Sequence, residues 1–280
     1  MELIVDGAHG PHATHAAYAY TGGKPFDAAL PCIVFIHGAL HDHSVFTLLA
    51  RWYAHHGHAV LAVDLPGHGR SSGLPLASVE AAADWLLALL DAAGVQQAAL
   101  AGHSMGSLIA LEAAARAPER ITRLALIGTA YPMKVSQALL DTARDQPLAA
   151  IEMVNTYSHS TLAAKPSHPG PGSWLHGGNR ALMQRMQALQ TGCNLFHHDF
   201  SVCDAYAGGL EAAARVRCPV TLVLGERDQM TSPKQAGALA SALASTLTGA
   251  PKARTVMVRA GHALMTEAPD AVLHALQAEG

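Results

Sequence analysis

The stretch AALAGHSMGSLIAL, residues 98–111, changes character in its middle. Its first five residues are apolar, and a helical spacing of apolar residues begins after Gly106. Between them stands Ser104, with Gly102 two positions before it and Gly106 two positions after it. A tight turn from a buried strand into a helix leaves no room for side chains at those two positions, so glycine belongs there. We therefore expect Ser104 to be held above the end of a strand, at the N-terminus of a helix.

A serine in such a turn is a candidate nucleophile. The positive end of the helix dipole and the N–H of Met105 both favour a developing negative charge in the same space. A serine hydroxyl is a weak nucleophile, however, and needs a neighbouring base. The alternative interpretation is an ordinary strand-to-helix turn, because the pattern G-x-S-x-G also occurs by chance.

Two later strand ends contain the partners that a nucleophilic serine needs. Asp228 follows the apolar run PVTLVLG, and His262 follows the run RTVMV. The carboxyl ends of parallel strands lie at one edge of a sheet, where Ser104 is also expected. There His262 can accept the serine proton, while Asp228 fixes the imidazole tautomer. Glu226, which is closer to its strand, is the second candidate for the acid.

The segment IVFIHGALHDH, residues 33–43, predicts the site that stabilises the oxyanion. A His-Gly pair after a buried strand lets the backbone turn sharply toward the serine. We expect the N–H groups of Ala39 and Met105 to bind the developing negative charge, with Leu40 as the alternative to Ala39. Candidates for the substrate pocket are Leu40, His41, His43, Tyr131 and Trp174.

Short apolar runs alternate with helical patterns along most of the chain, which predicts an α/β fold with a mostly parallel, doubly wound sheet. The alternation stops between residues 131 and 215, where helical segments and the Pro/Gly-rich run KPSHPGPGSW occur. We predict a core domain from residues 1–130 and 216–280, and a helical cap or lid from residues 131–215. The Pro/Gly-rich run, residues 165–174, is the expected first site of proteolysis.

Composition excludes several classes of protein. The 280 residues are 50% hydrophobic and carry a net charge of −3 without a basic block, so nucleic acid is not an expected partner. No apolar run reaches the roughly 18 residues that span a bilayer, and the opening MELIVDGAHG lacks the features of a signal peptide. With its four scattered cysteines, the chain is expected to be cytoplasmic with reduced thiols. Its 18 histidines match no metal-binding motif, so neither a metal nor another cofactor is expected.

Five motifs together resemble the α/β-hydrolase superfamily. They are HGA at 37–39, DLPGHGRS at 64–71, GHSMG at 102–106, GERD at 225–228 and GH at 261–262. The resemblance implies the α/β-hydrolase fold with a helical cap, and it implies Ser104 as nucleophile, Asp228 as acid and His262 as base. The chain is most similar to the group that includes pimeloyl-ACP methyl ester esterases, meta-cleavage C–C hydrolases and cofactor-free haloperoxidases. Serine at position 104 argues against the haloalkane dehalogenases and epoxide hydrolases of this fold, which use an aspartate.

These observations favour a serine hydrolase that cleaves a small or medium carboxylic ester through an acyl-enzyme on Ser104. Its partner is then a small-molecule ester. A C–C bond hydrolase acting on a vinylogous diketone would use the same three residues and is the first alternative. A ligand receptor without catalytic activity, built on the same fold, is the second. Acyl length, alcohol preference and oligomeric state do not follow from the sequence.

Overall fold

The computed structural model of the chain describes residues 1–6, 14–160, 174–190, 192–247 and 252–277. The expected proteolytic site at 165–174 lies, except for Trp174, outside the described residues.

One eight-stranded sheet organises the molecule, with the strand order β1-β2-β4-β3-β5-β6-β7-β8. The strands are β1 (Glu2–Asp6), β2 (Thr14–Tyr20), β3 (Cys32–Ile36), β4 (Ala59–Val63), β5 (Ala98–His103), β6 (Ile121–Ile127), β7 (Val220–Gly225) and β8 (Ala253–Val258). The pairs β1–β2 and β2–β4 are antiparallel, and the remaining pairs are parallel. The predicted α/β fold with a mostly parallel sheet is therefore confirmed.

Eleven α-helices connect or flank these strands in the described part of the chain. They are α1 (Thr47–His55), α2 (Val79–Ala92), α3 (Met105–Arg116), α4 (Gln137–Asp145), α5 (Pro147–Ser158), α6 (Leu175–Leu189), α7 (Leu195–Ala205), α8 (Gly209–Arg215), α9 (Gly237–Thr246), α10 (Leu264–Glu267) and α11 (Pro269–Gln277). Local sequence explains several of their ends. The Ser78 side chain accepts from the Ala81 N–H at 3.1 Å and caps α2, while Gly94 follows that helix with φ 69°.

Helices cover both faces of the sheet. Alternate residues of each central strand point to opposite faces, so each strand contributes side chains to two cores. In β3, Val34 and Ile36 belong to a core shared with α2 and α3, whereas Ile33 and Phe35 belong to a core shared with α1 and α11. This arrangement explains why β3 is apolar along its whole length. It is also the doubly wound architecture expected from the sequence.

The segment between β6 and β7 contains helices α4 to α8 and, among its described residues, no strand. We refer to residues 131–215 as the helical insertion. Its last helix, α8, packs against α3 and α9 of the core. At the end of the chain, Ala268 separates α10 from α11. Pro269 begins α11, since proline fits the first turn of a helix and not its interior.

Candidate active site

Ser104 occupies a strained turn between β5 and α3. Its φ of 52° and ψ of −120° lie outside the conformations that side-chain-bearing residues normally adopt. A Cβ added at Gly102 would lie 2.0 Å from the Gly106 carbonyl oxygen, and a Cβ added at Gly106 would lie 2.2 Å from the Ile36 carbonyl oxygen. Both glycines are therefore required by close backbone approach, as the sequence indicated. The Ser104 N–H donates to the Ile127 carbonyl at 2.9 Å, which ties the turn to β6.

Asp228 and His262 form a buried pair beyond the ends of β7 and β8. His262 Nδ1 lies 2.8 Å from Asp228 Oδ2. The N–H groups of Met230 and Thr231 both donate to Asp228 Oδ1 at 2.8 Å, and the Thr231 hydroxyl lies 2.8 Å from Oδ2. The carboxylate is thus held by the loop that follows it. Glu226 is exposed, and its side chain is not part of this network in the described structure.

The surroundings of Asp228 keep it ionised. Burial alone raises the pKa of this carboxyl group, but the charge and hydrogen bond of His262, together with the hydrogen bonds from Thr231, outweigh burial and hold that pKa below its ordinary value. A carboxylate can only accept hydrogen bonds, so the proton between the two residues belongs to His262 Nδ1. The other ring nitrogen of His262, Nε2, is then free to act as a base.

Ser104 and His262 line one cavity of about 210 Å³ at the carboxyl edge of the parallel strands. Among the described residues, the two side chains make no direct hydrogen bond. Such contacts are often long before substrate binds. The walls are mainly apolar. Most of their side chains belong to the helical insertion, and others belong to the loop that follows Asp228. The main apolar side chains are Met133, Leu139, Met153, Val154, Phe200 and Met230.

The backbone near Ala39 has one free and one occupied N–H. Gly38 and Ala39 line the cavity with Ser104. The Leu40 N–H, which was the alternative oxyanion donor, donates instead to Asp199 Oδ2 at 2.8 Å. In the described structure the N–H groups of Ala39 and Met105 have no acceptor, and Met105 is the first residue of α3. Ala39 and Met105 are therefore available as donors, whereas Leu40 is not.

Of the five candidate pocket residues, His41 lines the cavity. Leu40 is fully buried in the core and does not face the cavity. His43 turns away because its Nδ1 lies 2.8 Å from Asp64 Oδ1 and its backbone N–H donates to the same oxygen at 2.7 Å. A bond to the neighbouring strand end thus decides the direction of that side chain.

The two aromatic candidates of the helical insertion also lie elsewhere. Tyr131 packs against Tyr206 and over Gly209, and its hydroxyl donates to the Ala207 carbonyl. Trp174 precedes α6, is 50% exposed, and lies beneath the Arg180 guanidinium. Neither side chain is among the cavity's lining residues.

Sequence reasoning missed most of the cavity wall. Leu139, Met153 and Phe200 line it from α4, α5 and α7, within a segment predicted to be helical but with no cavity-facing residue named on those three helices. It also missed Thr231, which holds Asp228, and the buried pair of His68 and Asp199, whose Nε2 and Oδ2 atoms are 2.8 Å apart. The signal for the helices was present as helical periodicity, but periodicity does not say which residues face a cavity.

Within the described residues, no group of histidine, cysteine, aspartate and glutamate side chains is arranged to hold a metal ion. Cys32, Cys193, Cys203 and Cys218 are free thiols. None of the described helices has the length and apolar character needed to cross a membrane.

Three buried histidines near the site predict acid sensitivity. Burial, with a smaller contribution from His68, lowers the pKa of His37 to about 4. Burial likewise lowers the pKa of His159 to about 4, and burial beside His262 lowers that of His103 well below its ordinary value. The unfolded chain binds protons at these histidines near pH 6.5, whereas the folded chain binds them at His37 and His159 only near pH 4. The free energy of unfolding should therefore fall as the pH drops from 6.5 to 4, by about 3 kcal/mol for His37 alone.

Urea denaturation at a series of pH values measures this effect. His37 Nε2 accepts from the Leu65 N–H at 3.1 Å, a bond that protonation would remove. His37→Gln keeps an acceptor at that place without a titrating group, so its stability should depend less on pH over this range. A wild-type free energy of unfolding that stays constant between pH 6.5 and 4.5 would contradict the prediction.

Comparisons with known proteins identify the family. Residues 31–269 match the family model described as alpha/beta hydrolase fold. The pimeloyl-[acyl-carrier protein] methyl ester esterase of Chromobacterium violaceum is 32% identical over 221 residues, which are 72% of this chain and 77% of that protein. The chain therefore belongs to the α/β hydrolase family, and its relatives include an esterase.

Other similarities cover only part of the relative or show only the fold. An sn-1-specific diacylglycerol lipase of Mus musculus is 39% identical over 102 residues, which are 36% of this chain and 33% of the lipase. The chain spans about a third of the length of that relative and of two others that it matches. The enol-lactonase from Burkholderia xenovorans LB400 superimposes with a TM-score of 0.74 over 94% of this chain and 95% of that chain, at 22% identity. That likeness shows the fold.

Proposed function

We propose that this protein is a serine hydrolase that cleaves small or medium carboxylic esters through an acyl-enzyme on Ser104. The observation that carries the proposal is a single cavity lined by both Ser104, which has φ 52°, and His262, whose Nδ1 lies 2.8 Å from Oδ2 of the buried Asp228. A serine, a base and an orienting carboxylate are the groups that acyl transfer requires.

In the first step, Ser104 Oγ attacks the ester carbonyl carbon and His262 Nε2 takes the serine proton. The carbonyl oxygen becomes an oxyanion, which the N–H groups of Ala39 and Met105 stabilise. Asp228 stabilises the imidazolium and keeps the ring oriented. Collapse of the tetrahedral intermediate breaks the bond to the alcohol oxygen, which receives the proton from His262.

In the second step, water replaces the alcohol. His262 Nε2 takes a proton from the water as its oxygen attacks the acyl carbon. The second tetrahedral intermediate then breaks the bond to Ser104 Oγ, which recovers its proton from His262. The products are a carboxylic acid and the free enzyme, and no cofactor enters either step.

The size and the lining of the cavity favour a substrate with a neutral, compact acyl group. Its volume of about 210 Å³ is below the usual range for small-molecule sites, and its walls are mainly apolar. Lys134 is the one lysine or arginine among the described residues that line it. Its Nζ donates to the Asp204 carbonyl at 2.6 Å and lies 3.8 Å from the Asp204 carboxylate, so its charge is already partnered. Apolar contact should therefore determine affinity for the acyl chain.

We propose that residues 1–130 and 216–280 form the hydrolase core and that the helical insertion, residues 131–215, is a cap that selects the substrate. The support is that α4, α5 and α7 contribute apolar walls to the cavity, while Ser104, Asp228 and His262 all follow core strands. A core that fixes the reacting groups leaves the insertion to determine specificity.

Hydrolysis of p-nitrophenyl esters from acetate to decanoate tests this proposal. We expect kcat/KM to be highest for short acyl chains and to fall by about tenfold or more for the longest, because each methylene group that does not fit is costly. Met153→Ala should move the optimum toward longer chains, because Met153 lines the cavity from α5. Leu148→Ala is the matched control, since Leu148 lies on the same helix, is 58% exposed and does not line the cavity.

An identical chain-length profile for wild type and Met153→Ala would contradict the assignment of the insertion to specificity. A vinylogous diketone assayed in parallel distinguishes the bond that is cleaved. Turnover of the diketone with no turnover of any ester would replace the ester proposal by C–C bond hydrolysis.

A further inference from the structure

Three consecutive residues beyond the Gly38–Ala39 turn are each bonded to the helical insertion. The Leu40 N–H donates to Asp199 on α7 at 2.8 Å, and His41 Nε2 lies 2.8 Å from Asn179 Oδ1 on α6. Arg185 Nη2, also on α6, lies 2.8 Å from Asp42 Oδ2. We call residues 37–42 the oxyanion loop. The insertion therefore does more than cover the cavity, because it also holds the loop that carries the Ala39 N–H.

Asp199 makes the most deeply buried of these contacts. It is 2% exposed, and its Oδ2 accepts both the Leu40 N–H and a hydrogen bond from His68 Nε2 at 2.8 Å. The other ring nitrogen of His68 lies 3.1 Å from the Pro66 carbonyl. Carboxylate and carbonyl oxygens can only accept, so both nitrogens of His68 carry protons and the pair is ionic.

The electrostatics of the pair agree with that geometry. Burial lowers the pKa of His68, but the charge and hydrogen bond of Asp199 outweigh burial, and the net shift is upward. Burial raises the pKa of Asp199, but the charge and hydrogen bond of His68 and the Leu40 N–H outweigh it, and the net shift is downward. Separating or removing one partner of such a buried ion pair costs folding free energy, so the Asp199 carboxylate is held firmly in place.

The bonds from Asp199 and His41 act on a single peptide group. The Leu40 N–H is bound by Asp199, and the carbonyl of the same peptide, from Ala39, lies 2.7 Å from His41 Nδ1. Leu40 itself has φ 56°, a conformation that costs free energy for a residue with a branched side chain. Without an acceptor for its N–H, this peptide can rotate toward a more relaxed conformation. Such a rotation would turn Ala39, which lines the cavity with Ser104 and whose N–H has no acceptor in the described structure.

We infer that Asp199 is a positioning residue for the oxyanion site: by binding the Leu40 N–H from α7, it holds the Ala39 N–H in the direction that the tetrahedral intermediate requires. The inference rests on the proposed function, because the oxyanion site has a use only if Ser104 performs acyl transfer. It makes assembly of the oxyanion site depend on docking of the helical insertion.

Asp199→Leu and Asp199→Asn form a matched pair for the test. All three side chains branch at Cγ and are similar in size, but leucine lacks the acceptor and asparagine retains one. For a p-nitrophenyl ester, Asp199→Leu should lower kcat by about 10–100-fold with KM changed by less than about twofold, because the lost interaction acts in the transition state. Asp199→Asn should recover most of that loss.

Butylboronic acid gives a readout that a merely structural role would not move. Its boron forms a bond to Ser104 Oγ while the serine proton passes to His262 Nε2, and the boron becomes a tetrahedral anion with one of its two hydroxyl oxygens at the oxyanion site. We expect about 10–100-fold weaker inhibition of Asp199→Leu and nearly wild-type inhibition of Asp199→Asn. Arg180→Ala is the control for general loosening of the insertion, because Arg180 lies on α6, pairs with Glu152 of α5 at 3.5 Å and, in the described part of the chain, has no bond to the oxyanion loop. It should change kcat and inhibition by less than about twofold.

Two outcomes would overturn the inference: kcat and boronic acid affinity of Asp199→Leu equal to wild type, or equal losses in Asp199→Leu and Asp199→Asn. If Asp199→Leu does not fold, His68→Leu/Asp199→Leu removes both buried charges and is subjected to the same measurements. The proposed function fails by a different result, namely ester turnover that survives Ser104→Ala. If that variant is inactive while Asp199→Leu is fully active, only the positioning role is wrong.

Discussion

Ser104→Ala is expected to lower kcat for ester hydrolysis by about 10⁴–10⁶-fold, because nucleophile, base and acid act as one unit. The fold should survive, since the strained backbone at φ 52° is fixed by the approach of Gly102 to Gly106 and by the bond from the Ser104 N–H to the Ile127 carbonyl. The serine side chain takes no part in either. Unchanged thermal stability with lost turnover is the expected result.

A fluorophosphonate probe with mass mapping of the labelled peptide gives the second measurement. The wild type should be labelled at Ser104, and Ser104→Ala should not be labelled. Ser158→Ala is the matched control, because Ser158 also lines the cavity but lies at the end of α5, in an ordinary helix. Turnover by Ser104→Ala within tenfold of wild type would refute the assignment of the nucleophile.

The reacting groups could be located from the sequence because each depends on a local rule. Ser104, Asp228 and His262 each come shortly after an apolar run that forms a parallel strand, and parallel strands bring their carboxyl ends to one edge. The glycines around Ser104 need only the geometry of the turn itself. These features require no knowledge of how distant helices pack.

The substrate-facing surface could not be located in this way. Met153 and Phe200 reach the cavity because α5 and α7 lie over the strand ends, and that placement depends on packing within the insertion. Tyr131 and Trp174 were plausible as aromatic residues of the insertion, yet one packs on Gly209 and the other lies at the surface. Residue type and position in sequence do not determine the direction of such side chains.

The oxyanion loop shows the same division within a few residues. Its sharp turn follows from the His-Gly pair, but the engagement of the Leu40 N–H by Asp199 joins positions 159 residues apart. The direction of His43 is decided by Asp64 in another strand-end loop. Long-range polar contacts of this kind distinguish a free N–H from an occupied one, and they become visible only in the folded chain.

Asp228→Asn should lower kcat by about 10⁴-fold with little change in the fold. Asparagine can still accept from the N–H groups of Met230 and Thr231 through its amide oxygen, so the loop can stay in place. Its amide N–H₂ then faces His262 Nδ1, which must become the acceptor. The ring proton moves to Nε2, and that nitrogen can no longer take the proton of Ser104.

Glu226→Gln is the matched control, because Glu226 is also an acid near the end of β7 but is exposed. Steady-state kinetics of the two variants at neutral pH decide between the acids. A large loss in Glu226→Gln with an active Asp228→Asn would show that the acid is Glu226.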